Sequence, residues 1–217
     1  MNDKLRVGVL ISGRGSNLQA LIDACQDPVY PAQIVRVISN VPEVYGLHRA
    51  EAAGIPTAVV DHKAYDGREA FEAAVQEVLL ADKVDLVVLA GFMRLVTDSF
   101  VRQWHDRLIN IHPSLLPAFK GRHIHERVLA AGVRFSGCTV HFVRPAMDEG
   151  PIIVQAVVPV LSVDTPDMLA ARVLVQEHRV LPYAVQLIAE GRFRVEEEKV
   201  VVTAAASPSK ALQNPID

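Results

Sequence analysis

Asn110 and His112 stand two residues apart in L-I-N-I-H-P-S-L-L-P, residues 108–117. If 108–112 is a strand, both side chains leave the same face, because successive strand residues alternate sides. Pro113 cannot donate to a sheet ladder and marks the strand's exit. An amide donor beside an imidazole is equipment for stabilising an oxyanion. In open α/β sheets ligands bind at that carboxyl end. Read alone, the pair also fits an Asn satisfying loop backbone and a quietly packed His. Asp148, in R-P-A-M-D-E-G-P (144–151), is a third candidate. Met147 and the following apolar run offer to bury its carboxyl, as suits a general base. The commoner use of an Asp before a Gly is a turn.

Two further segments carry possible chemistry. S-G-R-G-S-N, Ser12–Asn17, joins an apolar run to a helical one. Glycines let the chain curl, and a helix start offers free N–H groups to an anion. No G-K-[S/T] follows, and Leu18 stands where a dinucleotide fingerprint needs its third Gly. The loop fits an anion cradle and equally an ordinary strand-to-helix turn capped by Ser16. G-F-M-R-L-V, Gly91–Val96, places Phe92 and Met93 at another strand exit, either to flank a flat ligand or to enter the core. His123-x-His125, with His105, His112 and His141 elsewhere, lacks a third ligand at a metal-site spacing, so no metal is expected.

The elements that must position these residues alternate. Arg6–Ser12, Ile34–Ser39, Thr57–Val60, Leu86–Ala90 and Leu108–His112 read as apolar strands. Ser16–Cys25, Val44–Ala53, Arg68–Leu80 and a segment from Ser99, capped by Thr97 or Asp98, read as helices between them. Unbroken apolar strands separated by helices indicate a parallel sheet covered on both faces. The pattern then changes. Residues 113–125 form a long loop, of the kind usually kept for function. His125–Ala131 follows as a helix, then strands at Ser136–Val143 and Ile152–Val160. Pro166–Ile188 is a long helix in which Pro182 threatens a kink, and Arg192–Val202 is a hairpin about Glu197–Lys199. No linker divides the chain, so residues 1–203 are expected as one domain and 204–217 as a flexible tail.

Bulk properties narrow the classes. The chain has 217 residues, half of them hydrophobic, and a net charge of −3, which gives no electrostatic case for a nucleic-acid or membrane partner. Two cysteines, Cys25 and Cys138, make no disulfide framework and read as buried thiols. The start lacks a signal-peptide pattern, and no apolar run approaches the roughly 20 residues of a membrane span. A cytosolic protein is expected.

Separately these signals are weak. In this order, S-G-R-G-S-N, L-A-G-F-M-R, L-I-N-I-H-P-S-L-L-P, H-I-H-E-R, G-C-T-V-H-F-V and M-D-E-G-P-I-I-x-Q resemble the formyltransferases that use 10-formyltetrahydrofolate. The likeness runs from about Arg6 to Arg194. S-G-x-G-S-N and the overall size resemble the branch whose acceptor is the amine of glycinamide ribonucleotide, in de novo purine synthesis. The resemblance implies a single α/β domain with a mostly parallel seven-stranded sheet and an antiparallel C-terminal part. It implies Asn110, His112 and Asp148 as the catalytic three. Gly15, Ser16 and Asn17 would hold the phosphate, with Pro113 and Glu177 near the ribose and glycinamide. Arg68, Phe92, Met93, Arg94, Leu95, Val96, Val143 and Met147 would form the folate pocket. The partners would be two small molecules, with 10-formyltetrahydrofolate as co-substrate and no metal, and the protein a monomer or homodimer. One stretch departs from the family's F-P-G-x-H: here it is F-K-G-R-H, which puts the cations Lys120 and Arg122 into a loop that acts as a lid in relatives. Alternatives are a methionyl-tRNA formyltransferase, against which the missing tRNA domain and the acidic charge speak; a deformylase, which carries a further N-terminal domain; and a non-catalytic folate or nucleotide binder, which would not need all three catalytic residues.

Overall fold

The computed structural model describes residues 4–203 and 214. Seven strands form one sheet: β1 (Leu5–Ile11), β2 (Ala32–Ser39), β3 (Thr57–Val59), β4 (Leu86–Leu89), β5 (Leu108–His112), β6 (Phe135–Phe142) and β7 (Ile152–Pro159). Their spatial order is β3-β2-β1-β4-β5-β6-β7. Pairings from β3 through β5 are parallel, while β5–β6 and β6–β7 are antiparallel. The change has a covalent cause at its outer edge. The connector 143–151 is shorter than the dozen or so residues a parallel crossover requires.

Helices cover both faces, as the apolar runs require. Val7, Val9 and Ile11 of β1 face a core built with α1 (Ser16–Cys25), α2 (Tyr45–Ala52), α5 (Ile124–Ala130) and α6 (Pro166–Ala189). Leu10 of β1 and Leu108 of β5 face the other core, with α3 (Arg68–Ala81), α4 (Asp98–Gln103) and Trp104. In β5, Ile109 and Ile111 join the first core. Asn110 and His112, in phase with Leu108, therefore belong to the α3/α4 side.

Two local expectations change. Ser16 does not cap α1: Gly15 takes the N-cap position in the left-handed region (φ 67°), and no side chain caps the helix there. Glycine adopts that conformation without the Cβ penalty, which leaves the Ser16 hydroxyl free. Cys25 is half-buried, whereas Cys138 is buried as expected. At α4, Thr97 is the cap and accepts from the Phe100 N–H, and Asp98 is the first helical residue. The helix containing Pro182 continues to Ala189, and Tyr30 Oη donates to the Pro182 carbonyl at 2.7 Å. The hairpin forms as β8 (Phe193–Glu196) and β9 (Lys199–Val202), with Glu197 and Glu198 both at positive φ in the turn. Of the expected tail, Asn214 is described and donates to the carbonyls of Arg134 and Val160; the rest lies outside the described residues.

Candidate active site

Strand register assembles the reactive group. Antiparallel pairing sets Asn110 opposite His141 and His112 opposite Thr139. Cys138, Val140 and Phe142 of β6 point into the first core, so Thr139 and His141 share the face that carries Asn110 and His112. The loop after β6 returns Asp148 to the same place. Its Oδ2 lies 3.6 Å from His112 Nδ1, and its Oδ1 lies 4.0 Å from His141 Nε2. His112 is buried and the Asp148 carboxylate largely enclosed, with side chains 7% and 10% exposed. Asp148 sits in the left-handed region (φ 56°), which Asp and Asn tolerate better than other side-chain-bearing residues. It is thus a turn residue whose carboxylate also faces two imidazoles.

Each polar head has a defined partner. His112 Nε2 faces the Phe119 carbonyl at 3.1 Å and therefore carries its proton there. A second proton arriving at Nδ1 meets the Asp148 carboxylate. His141 Nδ1 lies 2.9 Å from the Phe142 carbonyl, and burial holds this imidazole below its ordinary pKa of 6.5. It is accordingly neutral near pH 7, with its proton on Nδ1 and a lone pair on Nε2. That lone pair accepts a long bond, 3.4 Å, from Asn110 Nδ2. The contact fixes which end of the Asn110 amide is nitrogen and leaves its second N–H to point elsewhere. His141 was visible in G-C-T-V-H-F-V but had no assigned role. The missing signal was the register, which joins positions 31 residues apart.

The loop through Lys120–Arg122 packs against this group. Gly121 N–H donates to Asp148 Oδ2 at 2.9 Å. Lys120 pairs with Glu149 at 2.6 Å, and Arg127 donates to the carbonyls of Lys120 and Arg122. The cation that departs from the family pattern is thus tied to the Asp148 loop. Met147 does not bury Asp148, contrary to expectation: it is 51% exposed, and the enclosure comes from His112, His141 and Gly121. Asp148 also borders a cavity of about 500 Å³ walled by Pro117, Lys120, Glu149, Glu198 and Lys199.

A second cluster lies at the exit of β1. Gly46 of α2 donates its N–H to the Gly13 carbonyl, and Arg49 Nε donates to the Arg14 carbonyl. A Cβ on Gly46 would meet Ile11 Cδ1 at 2.5 Å and the Gly13 oxygen at 2.9 Å, so this approach requires glycine. The first N–H groups of α1 have no partner within the helix. The Asn17 side chain turns inward, where Nδ2 donates to Glu177 Oε2 at 2.7 Å. Burial pushes the Glu177 carboxyl up, and the Asn17 bond opposes that rise. Ser16 borders a cavity of about 300 Å³ with Gln19, Asp23, Arg49 and His178.

Of the expected folate residues, Phe92–Val96 follow the exit of β4, and Phe92, Val96 and Val143 pack on one core. Phe92 is half-buried and stacks on Phe71 of α3, with ring centroids 6.3 Å apart; Arg94 also lies over the Phe71 ring, while Met93 and Leu95 are exposed. Glu72 of α3, itself buried, accepts from the N–H and hydroxyl of Thr97 and so anchors the loop's far end. Val143 is half-buried against the same core, and Arg68 is exposed at the start of α3. Pro113 follows His112 directly, half-buried. Among the described residues, no group of three or more His, Cys, Asp or Glu side chains is arranged to hold a metal ion, and no helix is long and apolar enough to cross a membrane.

Comparison with known proteins identifies the family. The formyl transferase family pattern matches residues 5–185. Phosphoribosylglycinamide formyltransferase of Escherichia coli is 44% identical over 89% of this chain and 91% of its own length. Trifunctional purine biosynthetic protein adenosine-3 of Bos taurus is 55% identical over 89% of this chain, which spans only 19% of that longer protein. The crystal structure of glycinamide ribonucleotide transformylase 1 from Symbiobacterium toebii superimposes with a TM-score of 0.91 at 48% identity, covering 94% of this chain and 96% of that one. With the family pattern matched over most of its length, the chain belongs to the formyl transferase family.

Proposed function

We propose that this chain transfers a formyl group from 10-formyltetrahydrofolate to the amine of glycinamide ribonucleotide, giving formylglycinamide ribonucleotide and tetrahydrofolate, as a step of de novo purine synthesis in the cytosol. The observation that carries the reading is the convergence of Asn110, His112 and Asp148 about His141, with His112 and Asp148 3.6 Å apart. The matching names of nearly full-length relatives support the choice of substrates.

The chemistry follows from the partners on the page. The amine nitrogen attacks the formyl carbon, a C–N bond forms, and negative charge develops on the formyl oxygen. The free N–H of Asn110 Nδ2 donates to that oxygen, and neutral His141 holds the amide in the donating orientation. His112 gives the Nε2–H now held by the Phe119 carbonyl. The attacking amine loses a proton, and the departing N10 of the folate must gain one. Asp148 accepts the first and passes it to Nδ1 of His112, and the imidazolium so formed gives its Nε2 proton to N10, so the pair carries the proton between the two nitrogens and Asp148 returns to the carboxylate. The bond to N10 then breaks. Binding falls mostly to the exits of the parallel strands: the α1 N-terminus at Gly15–Asn17 takes the phosphate, and Glu177 and Pro113 border the ribose and glycinamide. Arg68, Phe92–Val96, Val143 and Met147 receive the folate.

Incubation with 10-formyltetrahydrofolate and, in separate vessels, glycinamide ribonucleotide, initiator methionyl-tRNA or no acceptor tests the proposal. Tetrahydrofolate should appear rapidly with the ribonucleotide alone. Equal release without an acceptor would make the chain a deformylase, and release with the tRNA alone would assign the other acceptor.

A further inference from the structure

Ser12 follows β1 directly, and its side chain has two partners. The hydroxyl donates to Asn40 Oδ1 at 2.5 Å and accepts the Met93 N–H at 2.8 Å. Asn40 follows β2 and is buried; Met93 lies past the end of β4. One hydroxyl thus joins the exits of three neighbouring parallel strands. The chain leaves β1 toward β2 on one side while β4 lies on the other, so Ser12 sits at the switch point where α/β sheets open a crevice.

Its place between the two binding loops is what gives it a consequence. Ser12 precedes the loop 13–17, which receives the ribonucleotide phosphate in the reading above. Met93 lies within the loop 92–96, which receives the folate. The far ends of both loops are held separately, Asn17 by Glu177 and Thr97 by Glu72. Between the two loops runs the bond from the Met93 N–H to the Ser12 hydroxyl, which Asn40 in turn holds in place. The Met93 side chain is 79% exposed and provides no packing anchor of its own.

We propose that Ser12 is a positioning residue: its hydroxyl pins the folate loop to the nucleotide loop and so sets the distance between formyl carbon and amine. The proposal rests on the formyl-transfer reading. Misplacement by about 1 Å costs on the order of 100-fold in rate, so loss of the pin should lower kcat as well as folate binding. Replacing Ser12 by Ala removes both bonds at little cost in volume, and Thr retains the hydroxyl.

The test combines hydrogen exchange with kinetics on wild type, Ser12→Ala and Ser12→Thr. The Met93 amide should exchange about tenfold faster in Ser12→Ala, reflecting a lost bond of roughly 1–1.5 kcal/mol. In the same variant kcat should fall at least about tenfold, and Ser12→Thr should restore both readouts. Unchanged exchange at Met93, or faster exchange with unchanged kcat and KM values, overturns the pin. A lowered unfolding midpoint with normal kinetics does so too, because it leaves a merely structural role. If the wild type transfers no formyl group to the ribonucleotide, the proposed reaction fails and the pin is judged by folate affinity from Trp104 fluorescence. About tenfold weaker binding in Ser12→Ala supports it, and equal binding overturns it.

Discussion

The sheet has two halves that build sites by different means. From β3 to β5 the strands are parallel, and their exits end in loops shaped by backbone: Gly15 in the left-handed region, Gly46 against Gly13, and helix-start N–H groups facing outward. From β5 to β7 the strands are antiparallel, and the exit face carries side chains: Asn110 beside His141, and His112 beside Asp148. Parallel strands followed by helices offer oriented N–H groups, which suit anions but cannot move protons. Antiparallel neighbours bring imidazole and amide heads into lateral contact, which suits proton transfer and oxyanion binding. On the reading proposed above, most of the binding falls to the first half and the chemistry to the second.

The largest effect should come from the chemical half. Asp148→Asn keeps a residue at ease at positive φ and a hydrogen-bonding head, but removes the base. Turnover should fall by about 100- to 10,000-fold, measured at saturating substrates. Near-normal turnover in a folded variant would return Asp148 to a turn role and erase the division between halves.

In the binding half, Asn17→Leu leaves Glu177 buried without its 2.7 Å donor. A hydrogen bond to a charged group is worth about 1.5–3 kcal/mol, so KM for the ribonucleotide should rise about tenfold or more while KM for the folate stays nearly constant. Equal losses for both substrates would show that the two loops are not separable.

A smaller effect tests the electrostatics of that pair. Burial raises the Glu177 pKa above its ordinary 4.5. Such a carboxyl binds its proton more tightly folded than unfolded, so its contribution favours the native state below 4.5 and is lost as pH rises through the raised value. Glu177→Gln should therefore raise the thermal unfolding midpoint near pH 7, with the gain shrinking toward about pH 4. Scanning calorimetry across that range checks it; a midpoint lowered at pH 7 contradicts it. The smallest effect belongs to Lys120→Ala. Its ion pair with Glu149 is partly exposed and should contribute about 0.2–1 kcal/mol by chemical denaturation.

Much of this was legible in the residues. Unbroken apolar runs placed β1 through β5, and the two-residue spacing put Asn110 and His112 on one face. What escaped was what depends on distant neighbours. His141 joins the site through an antiparallel register that nothing local encodes. The inward turn of Asn17 depends on Glu177, 160 residues away. Ser16 had the composition of a cap, yet Gly15 took that place because a left-handed residue was needed before α1. Asp148 read as a turn residue or a general base; it takes the turn, and only the fold sets its carboxylate against His112 and Gly121.

The division of labour is tested most directly at Asn110. The Asn110→Ala variant should lose roughly 100- to 1000-fold in turnover, the usual cost of one oxyanion donor. Titration calorimetry on the same sample should show both the ribonucleotide and a non-reactive folate analogue binding with affinities close to wild type. Turnover and both affinities falling together would contradict the account, because Asn110 would then serve the binding of substrates and not the charge that forms between them.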